Sequence, residues 1–252
     1  MRKVLKEALG KLGLLEVTKP LCFYFSYRRK FFSQLIKRED LCFDVGANVG
    51  YYTDLFLRLG ATVVAIEPQN ENMQILQNKF GDNRKVKLIG KGLDERVGQR
   101  ELLICDTSSD TSSMSQKWIS VVRESGRLLK NTWDRTQQVD VTTLDLLIQE
   151  YGVPAFMKID VEGFEFNVLK GLSVPIDLIS FEFTPEYLEP THRCIRHLNE
   201  LGKVKFNYSI DPRGFALSDW VSGEDIAIHL SKLFIDNYPG PNGDIYAKFQ
   251  LD

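Results

Sequence analysis

The sequence predicts an α/β fold: a mostly parallel sheet, helices on both faces and an antiparallel last strand. Three observations carry that expectation. From residue 41 on, strand-like and helix-like segments alternate; the first strand leaves through a glycine turn straight into a helix; the second strand ends on an acid. Strands separated by roughly 10–15-residue helices require crossover connections, which enclose a parallel sheet between helices.

The elements follow in order. "LCFDV" (41–45) is a short buried-strand pattern, and "YYTDLFLRLG" is a helix ending at Gly60, a suitable C-cap. "TVVAI" (62–66) is β-branched and stops at Glu67-Pro68, and a helix through "ENMQILQNKF" follows. "KVKLIGKGL" (85–93) reads as a third strand and "QRELLI" (99–104) as a fourth extended piece. Residues 106–138 break the rhythm, because "DTSSDTSSMS" has the content of a mobile loop, with room for one helical turn after it. "VDVTTLDLLIQEYG" resumes as a strand and a helix capped by Thr143. "PAFMKID" (154–160) is a strand ending in an acid, followed by helix "FEFNVLKGL" and strand "IDLISFEF" (176–183). Helix "HRCIRHLNELG", strand "VKFNYSI" (204–210), an irregular stretch 211–242 with a short helix near 224–235, and strand "GDIYAKFQ" (243–250) complete the order. The irregular connection permits the last strand to run antiparallel.

The chain has 43% hydrophobic and 26% charged residues, enough for one substantial core, and no Pro/Gly/Ser-rich linker divides it. The expected organisation is a basic helical extension over 1–40 and one domain over 41–252 carrying the 106–138 insertion. Net charge is −2 but uneven: residues 1–38 hold ten Lys/Arg against Glu7 and Glu16, a net of +8, leaving −10 for the rest. Such a leader could meet an anionic membrane surface or a partner, or lie as a solvated helical face on the domain. Lys6, Glu7 and Lys11 interrupt any apolar signal core, and no stretch of ~18 uncharged apolar residues exists, so neither a secretion signal nor a spanning segment is expected. Cys22, Cys42, Cys105 and Cys194 form no metal-type pair and read as reduced, mostly buried thiols of a cytoplasmic protein.

In open α/β sheets, ligands bind beyond the carboxyl ends of the strands. "CFDVGANVGYYTD" (42–54) sits at such an end: Gly46 permits a tight turn, Gly50 lets the helix start close to a ligand, and Asp44 faces the crevice. Glu67 ends the next strand, 23 residues after Asp44, where a carboxylate accepts bonds from both hydroxyls of a ribose. Together these point to a nucleoside-containing cofactor. A dinucleotide loop spells G-x-G-x-x-G, whose middle glycine admits a pyrophosphate; here that position is Asn48. Asp44, Glu67, Asp94 and Asp160 would repel a pyrophosphate and complement a cation. S-adenosylmethionine, with its ribose, adenine and sulfonium, fits better.

"FDVGANVGYYT", "IEPQNENMQILQNKF", "VTTLDLLI" and "MKIDVEGFEFNVLKGL", spread over roughly residues 42–183, resemble successive motifs of the FkbM-type family of S-adenosylmethionine-dependent O-methyltransferases. The resemblance implies a class I methyltransferase (Rossmann-like) fold, S-adenosylmethionine as cofactor, and O-methylation, often of sugars or natural-product hydroxyls. It implies Gly46, Asn48 and Gly50 at the cofactor loop, Glu67 at the ribose, Leu93 and Asp94 near the adenine, and Asp160 at the methionine end. Gly92 and Phe164 depart from the residues usual in the family.

Methyl transfer to an alcohol needs the acceptor oxygen ~3 Å from the methyl group and in line with it, and a base for the hydroxyl proton. Candidates at strand ends are Asp160 and Glu162, after "FMKI", and Glu182 in "LISFEF", where a charge is costly unless Lys158 or a backbone amide partners it. Glu162 and Glu165 could instead favour the start of the next helix. Asp160 with Glu182 could hold a divalent cation, but no third ligand is defined and no metal is expected. His192, His197 and His229 are the histidines; His192 and His197, five apart on one helix, suit surface positions, or either could be a base if that helix borders the pocket. Trp118, Trp133, Phe215 and Trp220 could stack on an acceptor or pin their loops to the body. The expected partner is a small-molecule or saccharide substrate and not nucleic acid, since no Asn-Pro-Pro-Tyr-type motif occurs. A nicotinamide-dependent oxidoreductase is the rival enzyme, opposed by Asn48, the crowded acids and the lack of a Tyr-x-x-x-Lys relay. A non-catalytic subunit on the same fold is a third reading, opposed by the retained loop, Glu67 and Asp160.

Overall fold

In the computed structural model, which describes residues 26–210, 214–233 and 240–251, the alternation closes into one seven-stranded sheet. Helix α1 (26–32) precedes β1 (Leu41–Val45), α2 (Tyr51–Leu59), β2 (Thr62–Ile66), α3 (Asn70–Phe80) and β3 (Val86–Ile89). β1, β2 and β3 are parallel neighbours. The chain then returns to the other side of β1 with β7 (Phe156–Ile159) and β8 (Leu178–Phe183), both parallel to it. β10 (Gly243–Phe249) inserts antiparallel between β8 and β9 (Val204–Ser209), so the full order is β3-β2-β1-β7-β8-β10-β9. The direction of chain progression reverses between β1 and β7, which opens a crevice at their carboxyl ends.

Period-two alternation sends side chains to both covered faces. Phe43, Val45, Val64 and Ile66 enter one core cluster; Cys42, Val63 and Ala65 enter the other. The sequence pattern marked these strands as buried on both sides, and they are.

Two expectations for the middle of the chain are corrected. The strand expected over 85–93 breaks after Ile89, and Gly92–Leu93 (β4) leaves the main sheet to pair with β6 (Arg135–Thr142). "QRELLI" lies in β5 (Gly98–Ile104), which pairs antiparallel with β6 in a separate three-stranded sheet. The insertion is also more ordered than its composition suggests. It holds helix α4 (Gln116–Glu124), whose N-cap Ser115 accepts from the Trp118 amide. Trp118, Ile119 and Val122 are buried, and Trp118 Nε1 donates to the Thr184 hydroxyl at 3.0 Å. Ser/Thr richness marked a loop; the apolar spacing behind it decides the packing.

The remaining helices are α5 (Leu144–Tyr151), capped by the Thr143 side chain as expected, α6 (Glu165–Lys170), α7 (Leu188–Leu201) and α8 (Gly223–Leu233). Of the basic extension, residues 26–40 are described. Phe31, Phe32 and Ile36 are buried against the second core cluster, so this part lies on the domain. Cys42, Cys105 and Cys194 are free and buried; Cys22 lies outside the described residues. Among the described residues no helix is long and apolar enough to cross a membrane.

Candidate active site

The turn after β1 is tied to β2: the Gly46 and Ala47 amides both donate to the Ile66 carbonyl at 3.0 Å. Gly46 has φ +80°, and a Cβ there would overlap the carbonyl oxygen of Asp160, so the turn also abuts the loop after β7. Gly46→Ala is expected to lower stability by at least ~1–3 kcal/mol from backbone strain alone, measured as an earlier urea midpoint.

Glu67 is 5% exposed and oriented by two amides: Asn48 N donates to Oε2 at 2.7 Å and Gln69 N to Oε1 at 2.8 Å. Burial lifts its carboxyl to about 7 against the pull of those bonds. Each oxygen keeps a second lone pair, which suits a vicinal diol. Asn48 adopts φ +48°, a conformation Asn tolerates, and its Oδ1 accepts from the Ser109 hydroxyl of the insertion at 3.3 Å. Gly46, Asn48 and Glu67 all line one cavity of about 620 Å³, within the size range of small-molecule sites.

Four residues expected at the cofactor are elsewhere. Asp44 is 1% exposed and accepts from the Thr53 hydroxyl at 2.6 Å; burial lifts it to about 6. It anchors α2 rather than facing the crevice. Gly50, at φ +85°, is crowded by Phe80 and Leu76 of α3, so packing of the two helices, not a ligand's approach, requires a glycine. Leu93 is in the core, and Asp94 is fully buried beside Arg100 Nε at 2.6 Å. Neither lines the cavity, because β4 has joined the small sheet.

Asp160 and Glu162 follow β7 and do line the cavity. Glu162 holds φ +53°, with its carbonyl accepting from the Ser113 hydroxyl at 2.6 Å. The same loop is bound from beneath by Glu165, which accepts from the Val161 and Gly163 amides, each at 3.2 Å. Glu165 is therefore a scaffold, with burial lifting it to about 7. Glu182 sits near the end of β8. Its Oε1 accepts from Asn242 Nδ2 at 3.1 Å, while Oε2 is buried with no hydrogen-bond partner among the described residues. Burial first, then the charges of Asp160 and Glu165, push its carboxyl well above the usual range; Glu162 is raised by burial and by Glu182 and Asp160.

Lys158 or a backbone amide was one reading of what partners Glu182. The Lys158 Nζ lies 3.0 Å from Asp160 Oδ2 and 3.0 Å from Asp244 Oδ1, and 4.7 Å from the centre of the Tyr52 ring. Its side chain is 1% exposed. Burial pulls the ammonium down, but Asp160 and Asp244 outweigh it and hold it well above the ordinary lysine range. A lysine inside "FMKID" was the available signal. Asp244 carried none, since only the β8–β10 register sets it opposite Glu182.

One carboxylate oxygen from each of Asp160, Glu162 and Glu182 lies within 4.8 Å of the others, so Glu162 is the third oxygen donor the sequence left undefined. Trp118 and Trp133 pin the insertion: Trp133 Nε1 donates to the Thr111 carbonyl at 2.9 Å. Phe215 and Trp220 pack on the Phe31 cluster. No described histidine lines the cavity, and His197 Nε2 is bonded to the Leu169 carbonyl.

A family model described as the methyltransferase FkbM domain matches residues 44–205. No curated protein sequence matches the chain. Solved structures similar to it include a candidate rRNA methylase from Clostridium thermocellum (10% identity, covering 91% of this chain and 97% of that one, TM-score 0.47). Others are precorrin-6Y C5,15-methyltransferase from Geobacter metallireducens (10% identity, 91% and 87%, TM-score 0.43) and Aeropyrum pernix fibrillarin with natively bound S-adenosyl-L-methionine (11% identity, 84% and 68%, TM-score 0.41).

Proposed function

This chain belongs to the FkbM methyltransferase family, with S-adenosylmethionine as its cofactor, and from that premise we propose that it methylates a hydroxyl oxygen of a saccharide or glycosylated natural product. The residues present fit the cofactor: Glu67 is amide-oriented for a ribose diol, and Gly46 and Asn48 form the adjoining turn. Asp160, across the turn from Gly46, would meet its methionine end. When bound, the cofactor supplies an electrophilic methyl group on a positive sulfur.

The observation that carries the hydroxyl reading is Glu182 Oε2, a buried carboxylate oxygen of the cavity wall with no hydrogen-bond partner among the described residues. An acceptor O–H would satisfy it, and its raised affinity for protons makes it a stronger base than an ordinary glutamate. Lys158 keeps Asp160 and Asp244 neutralised beside it. The cavity counts six carboxyl side chains (Glu67, Asp110, Asp160, Glu162, Glu182, Asp244) against three cations (Arg28, Arg127, Lys158). Lys158 is already paired with Asp160 and Asp244, and Arg127 with Glu186, which leaves little cationic charge to neutralise a phosphate-bearing acceptor such as nucleic acid.

The test is methyl transfer from isotopically labelled S-adenosylmethionine to a panel of neutral glycosides, phenols and an RNA oligonucleotide, with and without EDTA. Labelling of glycosides that survives EDTA is expected, because Lys158 already supplies positive charge at Asp160. Labelling of RNA alone would sink the reading. Cofactor binding is checked separately: at ~100 times its dissociation constant a ligand adds about 2.7 kcal/mol, which for a chain of this size raises the melting midpoint by roughly 5–11 °C. S-adenosylmethionine and S-adenosylhomocysteine should both do so, and NAD should not.

A further inference from the structure

The family-matched segment starts at residue 44, yet the cavity has a wall that comes from outside it. Helix α1 contributes Arg28, Phe31 and Phe32 to the lining. Phe31 and Phe32 are held rigidly. Phe31 makes edge contacts with Phe215 and Tyr246, and Phe32 with Tyr52 and Phe156. Arg28 Nη1 donates to the Tyr52 hydroxyl at 2.6 Å, and its guanidinium carbon lies 5.4 Å from the centres of both the Tyr51 and Tyr52 rings. Tyr52 is also the ring that meets the Lys158 ammonium. A continuous chain of contacts thus runs from α1 through Tyr52 to the carboxylates of the reaction centre.

The cavity divides by chemistry. Gly46, Asn48 and Glu67 make the nucleoside half. The opposite half combines the α1 wall and Tyr52 with Glu182, Asn242 and Asp244, which offer carboxylate and amide hydrogen-bonding groups. Phe31 and Phe32 are buried in the second core cluster, so this wall presents the half-buried Arg28 and Tyr52, which with the carboxylates and the amide suit the hydroxyl edges of a ring. We propose that α1 is an acceptor-recognition element: Arg28 hydrogen-bonds the hydroxyls of a neutral, polyhydroxylated ring, and the buried Phe31 holds α1 in position, neither contacting the cofactor. This rests on the saccharide reading above and extends it to residues the family domain does not include.

The test uses the full chain saturated with S-adenosylhomocysteine, and saturation-transfer NMR with three probes: methyl glucoside, glucose 6-phosphate and glucuronate. Methyl glucoside is expected to receive saturation, and the two anionic probes to bind about tenfold more weakly or not at all. Arg28→Ala should weaken methyl glucoside by about tenfold while S-adenosylhomocysteine titrates as in the parent. Phe31→Leu, which keeps an apolar side chain in the core, is the second variant and should also weaken the sugar selectively. The proposal is overturned if no probe binds, if the anionic probes bind best, or if both variants lose cofactor affinity in step with sugar affinity. Binding without methylation in the labelled-donor assay would instead overturn the proposed reaction and leave α1 as a saccharide-binding wall.

Discussion

Glu182→Gln is expected to slow methyl transfer by ~10²–10⁴-fold, the usual worth of a positioned general base, with cofactor affinity unchanged. The substitution keeps the shape and preserves an acceptor for Asn242, but removes the charge that would take the hydroxyl proton. Asp160 is a weaker candidate for that task because Lys158 already occupies its Oδ2. The sign of the pH dependence follows from the raised carboxyl. A base must be ionised, so kcat should rise with pH through a midpoint above the ordinary glutamate value of ~4.3, and this limb should vanish in Glu182→Gln. A variant that kept full activity with the same acid limb would move the assignment to Glu162 or Asp160.

Lys158→Met should be the most damaging change to the fold itself, costing about 3–5 kcal/mol, the range seen when one member of a buried ionic set is removed. Two carboxylates, Asp160 and Asp244, depend on this single ammonium, and Glu182 lies opposite Asp244 on the neighbouring strand. Without Lys158 the acids repel one another in a poorly solvated site. Adding Asp244→Asn to Lys158→Met should recover part of the loss, because the double variant removes one of the stranded charges. Urea denaturation of the parent, both single variants and the double variant gives the coupling directly. Additive losses would show that the pair is not coupled. The folded pKa of Lys158 is raised, so its contribution is complete at neutral pH and is lost only as pH climbs through that raised value in strongly alkaline solution.

Much of the cavity wall around Gly46 and Glu67 was legible because most of its signals are local. Alternating apolar residues in "LCFDV" and "TVVAI" specify strands covered on both faces, a glycine at Gly46 specifies a left-handed turn, and an acid at a strand end, Glu67, is met by the Gln69 amide two residues on and by the Asn48 amide that the neighbouring parallel strand delivers. The resemblance to the FkbM motifs rests on the same contiguous stretches, and the family match covers them.

What the tertiary structure alone decided is the other half of the cavity. Asp44 and Gly50 belong to the glycine loop in sequence, but Asp44 is claimed by Thr53 where α2 packs back on β1, and Gly50 by Phe80 and Leu76, whose proximity depends on how α2 and α3 dock. Asp94 left the expected site because β4 found its hydrogen bonds on β6. Lys158 meets Asp244 across 86 positions of chain, and Arg28 meets Tyr52 across 24. Periodicity tells a residue whether to be buried. It carries no information about which strand inserts beside which, and the charge balance of this site is set by that choice, through β10 entering between β8 and β9 and α1 closing the wall.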